Sequence, residues 1–210
     1  MRKPLVPVFC AFLLAIPAAD TQAQGRTTDL ILGAGGTMSF ATDEEATESR
    51  VGLNASAGFS LRVTEMVGLR IEGGFIQKGG GSEVSDDDAA GQVNIEVDYG
   101  VLRGLLEIGG DLHILAGATV GRDLGCDVAI DVAVEGVDLS TDQTCDALGL
   151  DRNDDFGITA GVGYNVGILG VTLLFTEGLN DIFADAGENA PAGRNRTLSL
   201  VGSIRIPLSG

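Results

Sequence analysis

Tryptophan is absent from this chain, histidine occurs once, and all aromatic residues together make up 5% of it. The lone histidine, His113, is the only base available for Ser-His or Cys-His nucleophilic chemistry. It stands beside the start of a strand-like segment, far from any nucleophile at the opposite rim, so the sequence predicts no enzyme. Long apolar runs are also missing. Leu5 to Ile16 is too short to span a bilayer, and no run of about 18 apolar residues follows it, which excludes membrane-spanning helices. Basic residues are few: 13 Lys and Arg stand against 30 Asp and Glu, a formal net charge of −17. With so little positive charge to replace the counterions of a phosphate backbone, no nucleic-acid partner is expected. No metal and no cofactor are expected either. Asp151-Arg152-Asn153-Asp154-Asp155 lacks the glycine and terminal Glu of a calcium loop. Gly35-Gly36 and Gly79-Gly80-Gly81 open no helix that would cradle a phosphate.

What the chain has in abundance is glycine, 32 residues of it, and alternation. Phe156, Ile158, Ala160, Val162, Tyr164 and Val166 fall on one face of a strand whose other face is Gly157, Thr159, Gly161, Gly163 and Asn165. Eight stretches read this way: Leu30–Phe40, Val51–Val63, Val67–Lys78, Val93–Ile108, Leu112–Val120, Phe156–Val166, Val171–Thr176 and Thr197–Leu208. A phase slip near Val101-Leu102 in the fourth is read as a β-bulge. Arg2 and Lys3, the apolar Leu5 to Ile16 and the small-x-small Thr21-Gln22-Ala23 read as an export signal over residues 1–23, which leaves residues 24–210 as one domain. The gaps between stretches alternate short and long. The expected fold is all-β: an eight-stranded antiparallel up-and-down transmembrane β-barrel of the bacterial (Gram-negative) outer membrane, with short periplasmic turns and long extracellular loops.

The long gaps, about 41–50, 79–92, 121–155 and 178–195, hold most of the acids, including Asp43, Glu44 and Glu45, Asp86 to Asp88, and Asp123 to Asp155. The negative charge is therefore expected on the outer surface. Solvated loops are one reading, and divalent cations bridging carboxylates to lipopolysaccharide or a partner the other. Arg or Lys on the lipid face near the midplane costs roughly 2–4 kcal/mol, so Arg62, Arg70, Glu72, Glu96, Asp98 and Arg205 are placed inside, as a network of ion pairs. Eight strands enclose a space that side chains alone fill. Inward glycines such as Gly52, Gly58, Gly100 and Gly157 make room for the long ones.

Downstream of the signal only Cys126 and Cys145 remain, and in an oxidising compartment such a pair reads as a disulfide. Between them Val128, Ile130, Val132 and Val134 alternate with Asp127, Ala129, Asp131 and Ala133. A β-hairpin centred on Glu135-Gly136, with Val134 opposite Val137, sets Cys126 opposite Cys145.

Phe75-Ile76-Gln77-Lys78-Gly79, Val97-Asp98-Tyr99, Ile114-Leu115-Ala116-Gly117, Asp155-Phe156-Gly157 and Glu177-Gly178-Leu179-Asn180-Asp181-Ile182-Phe183 together resemble the porin-family, PorT-like outer-membrane β-barrel domain. The resemblance covers essentially all of residues 24–210. It implies a signal peptide and one eight-stranded barrel, in a family whose members mostly have no assigned activity; the family pattern has a proline about where Arg103 stands here. The leading expectation is a non-enzymatic integral outer-membrane protein whose acidic loops serve surface integrity or bind an unidentified extracellular partner. Its expected contacts are outer-membrane lipid, lipopolysaccharide and, during insertion, the barrel-assembly machinery. A narrow channel for small solutes or ions is the first alternative. The second is a secreted soluble barrel that holds an apolar ligand, which requires the apolar face to point inward.

Overall fold

The computed structural model describes residues 27–41, 48–86, 89–134, 137–148, 154–181 and 194–208. The export signal, Asp43 to Glu45, Asp87, Asp88, Glu135-Gly136, Asp151 and Phe183 lie outside them. Among the described residues nine strands are formed: β1 (Thr28–Ala41), β2 (Glu48–Arg62), β3 (Val67–Asp86), β4 (Ala89–Gly109), β5 (Leu112–Val134), β6 (Val137–Thr144), β7 (Asp155–Val166), β8 (Leu169–Asp181) and β9 (Arg194–Pro207). Each pairs antiparallel with its neighbours, β1 with β9 and β4 with β5, so eight of them close into a ring.

The ninth strand, β6, sits above β7 in the same slot. The lower part of β5, Leu112 to Gly121, pairs with β7, and its upper part, Asp127 to Val134, pairs with β6. Val134 faces Val137 as the alternation predicts, and Cys126 is bonded to Cys145.

Strands β3, β4 and β5 run for 20, 21 and 23 residues. A tilted strand crosses a bilayer in about 9–11 residues, so roughly half of each continues past the barrel. The expected loop at 79–92 is instead a continuation of β3 and β4, paired without a break from Val67↔Ile108 to Asp86↔Ala89. Much of the expected loop at 121–155 is β5, β6 and their staple. Above the barrel, upper β3, upper β4, upper β5 and β6 thus form a four-stranded sheet.

The connections from β2 to β3, β4 to β5 and β7 to β8 are short and lie at the opposite end from this sheet. Gly167 takes φ +61° in the Gly167-Ile168 turn, a left-handed backbone that only a residue without Cβ adopts at no steric cost. No bulge interrupts β4. The one irregularity in its pairing with β5 is on the β5 side, where Leu124 is the extra residue between Asp123 and Gly125. It packs outward over Gly100, at the distance of ordinary van der Waals contact from where a Cβ would stand, so Gly100 is on the outer wall and not among the inward glycines.

Candidate functional site: the filled lumen and the projecting sheet

Along the lower barrel the two faces obey the expected sense. Leu102, Leu106 and Ile108 of β4, Ile114 and Val120 of β5, and Leu200 of β9 point outward and are exposed, Leu200 to 57%. Bare apolar side chains around a whole circumference are stable only against hydrocarbon. The chain is a membrane-spanning β-barrel. Its wall is apolar outside and its lumen polar, the reverse of the soluble, ligand-holding barrel, so that alternative does not describe it.

The lumen is filled in layers. Nearest the short turns, Glu107 of β4 accepts from Arg205 Nη1 at 3.1 Å and lies 3.7 Å from Arg62. Arg205 also donates to Ser60 Oγ at 3.0 Å and reaches Asp29 at 3.4 Å. His113 is buried here, its Nδ1 3.2 Å from the Asp111 carbonyl and its ring over Gly163, where any Cβ would strike it. Next, Arg70 donates through Nε to Glu72 Oε1 at 2.8 Å and again through Nη2, while Arg103 Nη1 stands 3.9 Å from Glu72 Oε2. Gly58 leaves room beside Glu72, since a Cβ there would meet the β3 backbone and stand 3.0 Å from Glu72 Cγ. Leu105, Leu115 and Leu174 form a buried apolar cluster among these charges.

Higher still, a run of hydroxyls crosses three strands: Thr119 to Thr159 at 2.6 Å and Thr159 to Thr176 at 2.9 Å. Thr197 of β9 faces Thr176 in register and Ser39 of β1 faces Thr197, but neither hydroxyl has a hydrogen-bond partner, so the bonded run ends at Thr176. The last lumen layer is Lys78, hydrogen-bonded to Asp155 and 5.2 Å from the centroid of the Tyr99 ring.

Of the six charges placed inside from the sequence, Arg70, Glu72 and Arg205 are buried in the lumen, and Arg62 is at its short-turn mouth. Glu96 and Asp98 are not inside. Glu96 is on the outer face and pairs with Arg50, which passes over Gly79, where a Cβ would come within 2.7 Å of its Cδ. Asp98, half-buried, accepts from Gln77 Nε2 at 3.3 Å. At both positions the inward residues of β4 are the odd ones, Val97, Tyr99 and Val101. The rule that apolar faces lipid fails there because the strand has left the lipid. Lys78, Arg103, Glu107 and Asp155 belong to the lumen and were not foreseen there. Carrying the outward Leu102, Leu106, Ile108 phase through β4 would have placed Arg103 and Glu107 inside, and the supposed slip at Val101-Leu102 hid that signal.

On the projecting sheet the inner face is apolar: Ile76, Val97, Tyr99, Val101, Cys126, Val128 and Cys145 pack together, with Val93, Ile95 and Ile130 against them. The outer face carries Glu96, with Asp127 directly opposite it on β5, and further along β5 Asp131, opposite Ser140 of β6. At the rim, burial holds the Arg50 guanidinium below its ordinary pKa, against the pull of Asp98, and the hydrogen bond with Glu177 raises that of Arg196.

No family model matches the chain and neither does any curated protein. Among solved structures it is similar to Neisserial surface protein A, at 12% identity and a TM-score of 0.44 over 83% of this chain and 96% of that one. It is similar to Ail of Yersinia pestis, at 11% and 0.45 over 88% of this chain and 100% of that one. It is also similar to the outer membrane protein OprG of Pseudomonas aeruginosa, at 11% and 0.39 over 89% and 98%.

Proposed function

We propose that the chain is a non-enzymatic integral protein of the bacterial outer membrane that holds a disulfide-stapled, acidic β-sheet above the cell surface to engage an extracellular partner. The observation that carries this reading is the reversal of polarity along β4 and β5: apolar outside below, acidic outside and apolar inside above. A sheet with its own core and its own staple is built to keep a shape in water, which a solvating loop does not need. Its outer face, with Glu96, Asp127 and Asp131, suits a partner rich in Lys and Arg, with association weakened by salt. The turns from β2 to β3, β4 to β5 and β7 to β8 then lie in the periplasm. Layers of ion pairs, leucines and hydroxyls across the lumen leave no wide pore.

Fractionation of cells expressing the full chain tests the location. Recovery in the outer membrane, with a band whose mobility changes on boiling, is the expected result; a soluble periplasmic protein would overturn the proposal. For the surface role, intact cells carrying the chain should retain a basic probe protein in low salt. Substituting Asp127 and Asp131 together by Asn should reduce retention without changing the heat-shifted band. Equal retention by both cell types would remove the acidic face from the reading.

A further inference from the structure

Among the described residues Arg103 carries a buried guanidinium with no hydrogen bond from Nε and one distant carboxylate. Its side chain is 3% exposed. Among the described residues its one charged partner within 4 Å is Glu72 Oε2, 3.9 Å from Nη1, too far for a hydrogen bond. Arg70 holds Glu72 through Nε and Nη2, both on Oε1, and Glu72 Oε2 has no hydrogen-bond partner. One carboxylate thus serves two guanidiniums. Arg103 Nε, on the other edge of the guanidinium, has no hydrogen-bond partner at all. That edge, Nε with Nη2, is the fork with which arginine grips an anion.

The other lumen layers do not supply the missing negative charge. Arg62 and Arg205 are matched by Glu107 and Asp29, and Lys78 by Asp155. Asp123 stands opposite Tyr99, in the outer layer and four residues further along β5 than Thr119. Thr119 is the residue directly opposite Arg103. Its hydroxyl belongs to the Thr119–Thr159–Thr176 run, in which two hydrogen bonds use two of three protons. When each hydroxyl donates away from Thr119, toward Thr176, the spare proton is at Thr176; when each donates toward Thr119, it is at Thr119, beside Arg103.

We propose that the lumen binds a small monovalent inorganic anion, of chloride or bromide size, on the Nε edge of Arg103 with Thr119 as a second donor. The anion neutralises the Arg70–Glu72–Arg103 triad, and the leucine cluster of Leu105, Leu115 and Leu174 beside it restricts hydration, so that water alone is a poor substitute for charge. Glu72 Oε2 is the one carboxylate oxygen at the site; it faces Nη1, away from the fork. This site is independent of the surface role proposed above, and its failure would leave that role untouched.

The test is the thermal unfolding of the purified full chain in detergent at constant ionic strength, with chloride or bromide exchanged for gluconate, which is too large to enter. The unfolding temperature is expected to rise with halide and to saturate. Arg103→Lys, which keeps the charge and removes the fork, should weaken the apparent halide affinity at least tenfold. Glu72→Gln, which frees a second guanidinium, should strengthen it. Bromide-soaked crystals of the unsubstituted chain should show an anomalous peak beside Arg103, a readout that does not depend on either variant folding. No halide dependence and no anomalous peak would overturn the proposal in favour of water, and so would a halide response identical in all three chains, which would be general salt stabilisation.

Discussion

The lower and upper halves of β4 are one unbroken strand with one register, yet they are built to opposite rules. Below, Leu102, Leu106 and Ile108 face out while Arg103 and Glu107 face in; above, Glu96 and Asp98 face out while Val97, Tyr99 and Val101 face in. Next to it β5 makes the same inversion by other means. Its even-numbered residues face out up to Val120, the bulge at Leu124 shifts the phase by one, and the even-numbered Cys126 and Val128 then face in. In β4 the composition inverts, and in β5 the backbone does. Both answer to the same change of solvent. Hydrocarbon takes apolar groups outside and leaves charges to pair in the lumen, whereas water takes the charges and leaves apolar groups to form a core.

The sharpest break of this contrast is at two glutamates of that strand. Glu107, buried between Arg205 and Arg62, is expected to cost about 3–5 kcal/mol when replaced by leucine, because two cations lose their acid in a low-dielectric lumen. Glu96→Leu removes a pair with Arg50 whose carboxylate side is half-exposed, and should cost no more than about 1 kcal/mol. Urea unfolding in lipid vesicles reads both; equal costs would mean that the lumen of the lower barrel is as well hydrated as the upper surface.

The disulfide acts on the upper half alone. For a separation of 19 residues, the chain-entropy model gives about 3 kcal/mol. Reduction, or Cys126→Ser with Cys145→Ser, should therefore open the β5–β6 hairpin to protease between Asp127 and Thr144 while the heat-shifted barrel persists. Loss of the barrel together with the hairpin would show that the two halves fold as one unit.

A third contrast uses two outward glycines with nothing within 4 Å of an added Cβ, Gly104 in the lipid band and Gly125 above it. Gly104→Arg has space but faces hydrocarbon, and should cost roughly 2 kcal/mol, the lower end for a side chain that reaches toward the interface. Gly125→Arg faces water opposite Asp98 and should be neutral within about 0.5 kcal/mol. Refolding yield into vesicles separates them. If Gly125→Arg were the worse of the two, the membrane boundary would lie higher on β5 than the bulge at Leu124.

How much of this was legible depends on the same boundary. All eight barrel strands, their ring order and the Cys126–Cys145 hairpin follow from period-two alternation, since one face of each is uniformly apolar. The lengths of β3, β4 and β5 do not, because Gly79-Gly80-Gly81 and Asp86 to Asp88 carry the composition of a loop although Gly80 and Gly81 pair in register with Ile95 and Asn94. Glu96 and Asp98 were assigned inward by applying the lipid rule to a segment outside lipid. Arg103 was lost to a bulge placed on the wrong strand. Asp155 was counted with the loop acids because it opens β7, and only the ring closure brings it to Lys78, 77 residues away in sequence.

The smallest expected difference between the two halves comes from exchanging their interiors. Thr159, fully buried, accepts or donates in two hydroxyl contacts, with Thr119 and Thr176. Thr159→Val keeps the shape and removes both, which should cost about 1 kcal/mol, since Thr119 and Thr176 each lose a hydroxyl partner. Val128→Thr makes the reverse exchange in the upper core, between Ile95 on β4 and Gln143 on β6. There the new hydroxyl meets the apolar cluster, and a cost of about 1–2 kcal/mol is expected, confined to the projecting sheet. Hydrogen exchange of β4 amides locates each loss: Thr159→Val should leave the amides of residues 92 to 98 as protected as before, and Val128→Thr should loosen them. Were both substitutions to loosen the same amides, the two interiors would be one continuous core, and the change of solvent along β4 would not divide the protein into two energetic parts.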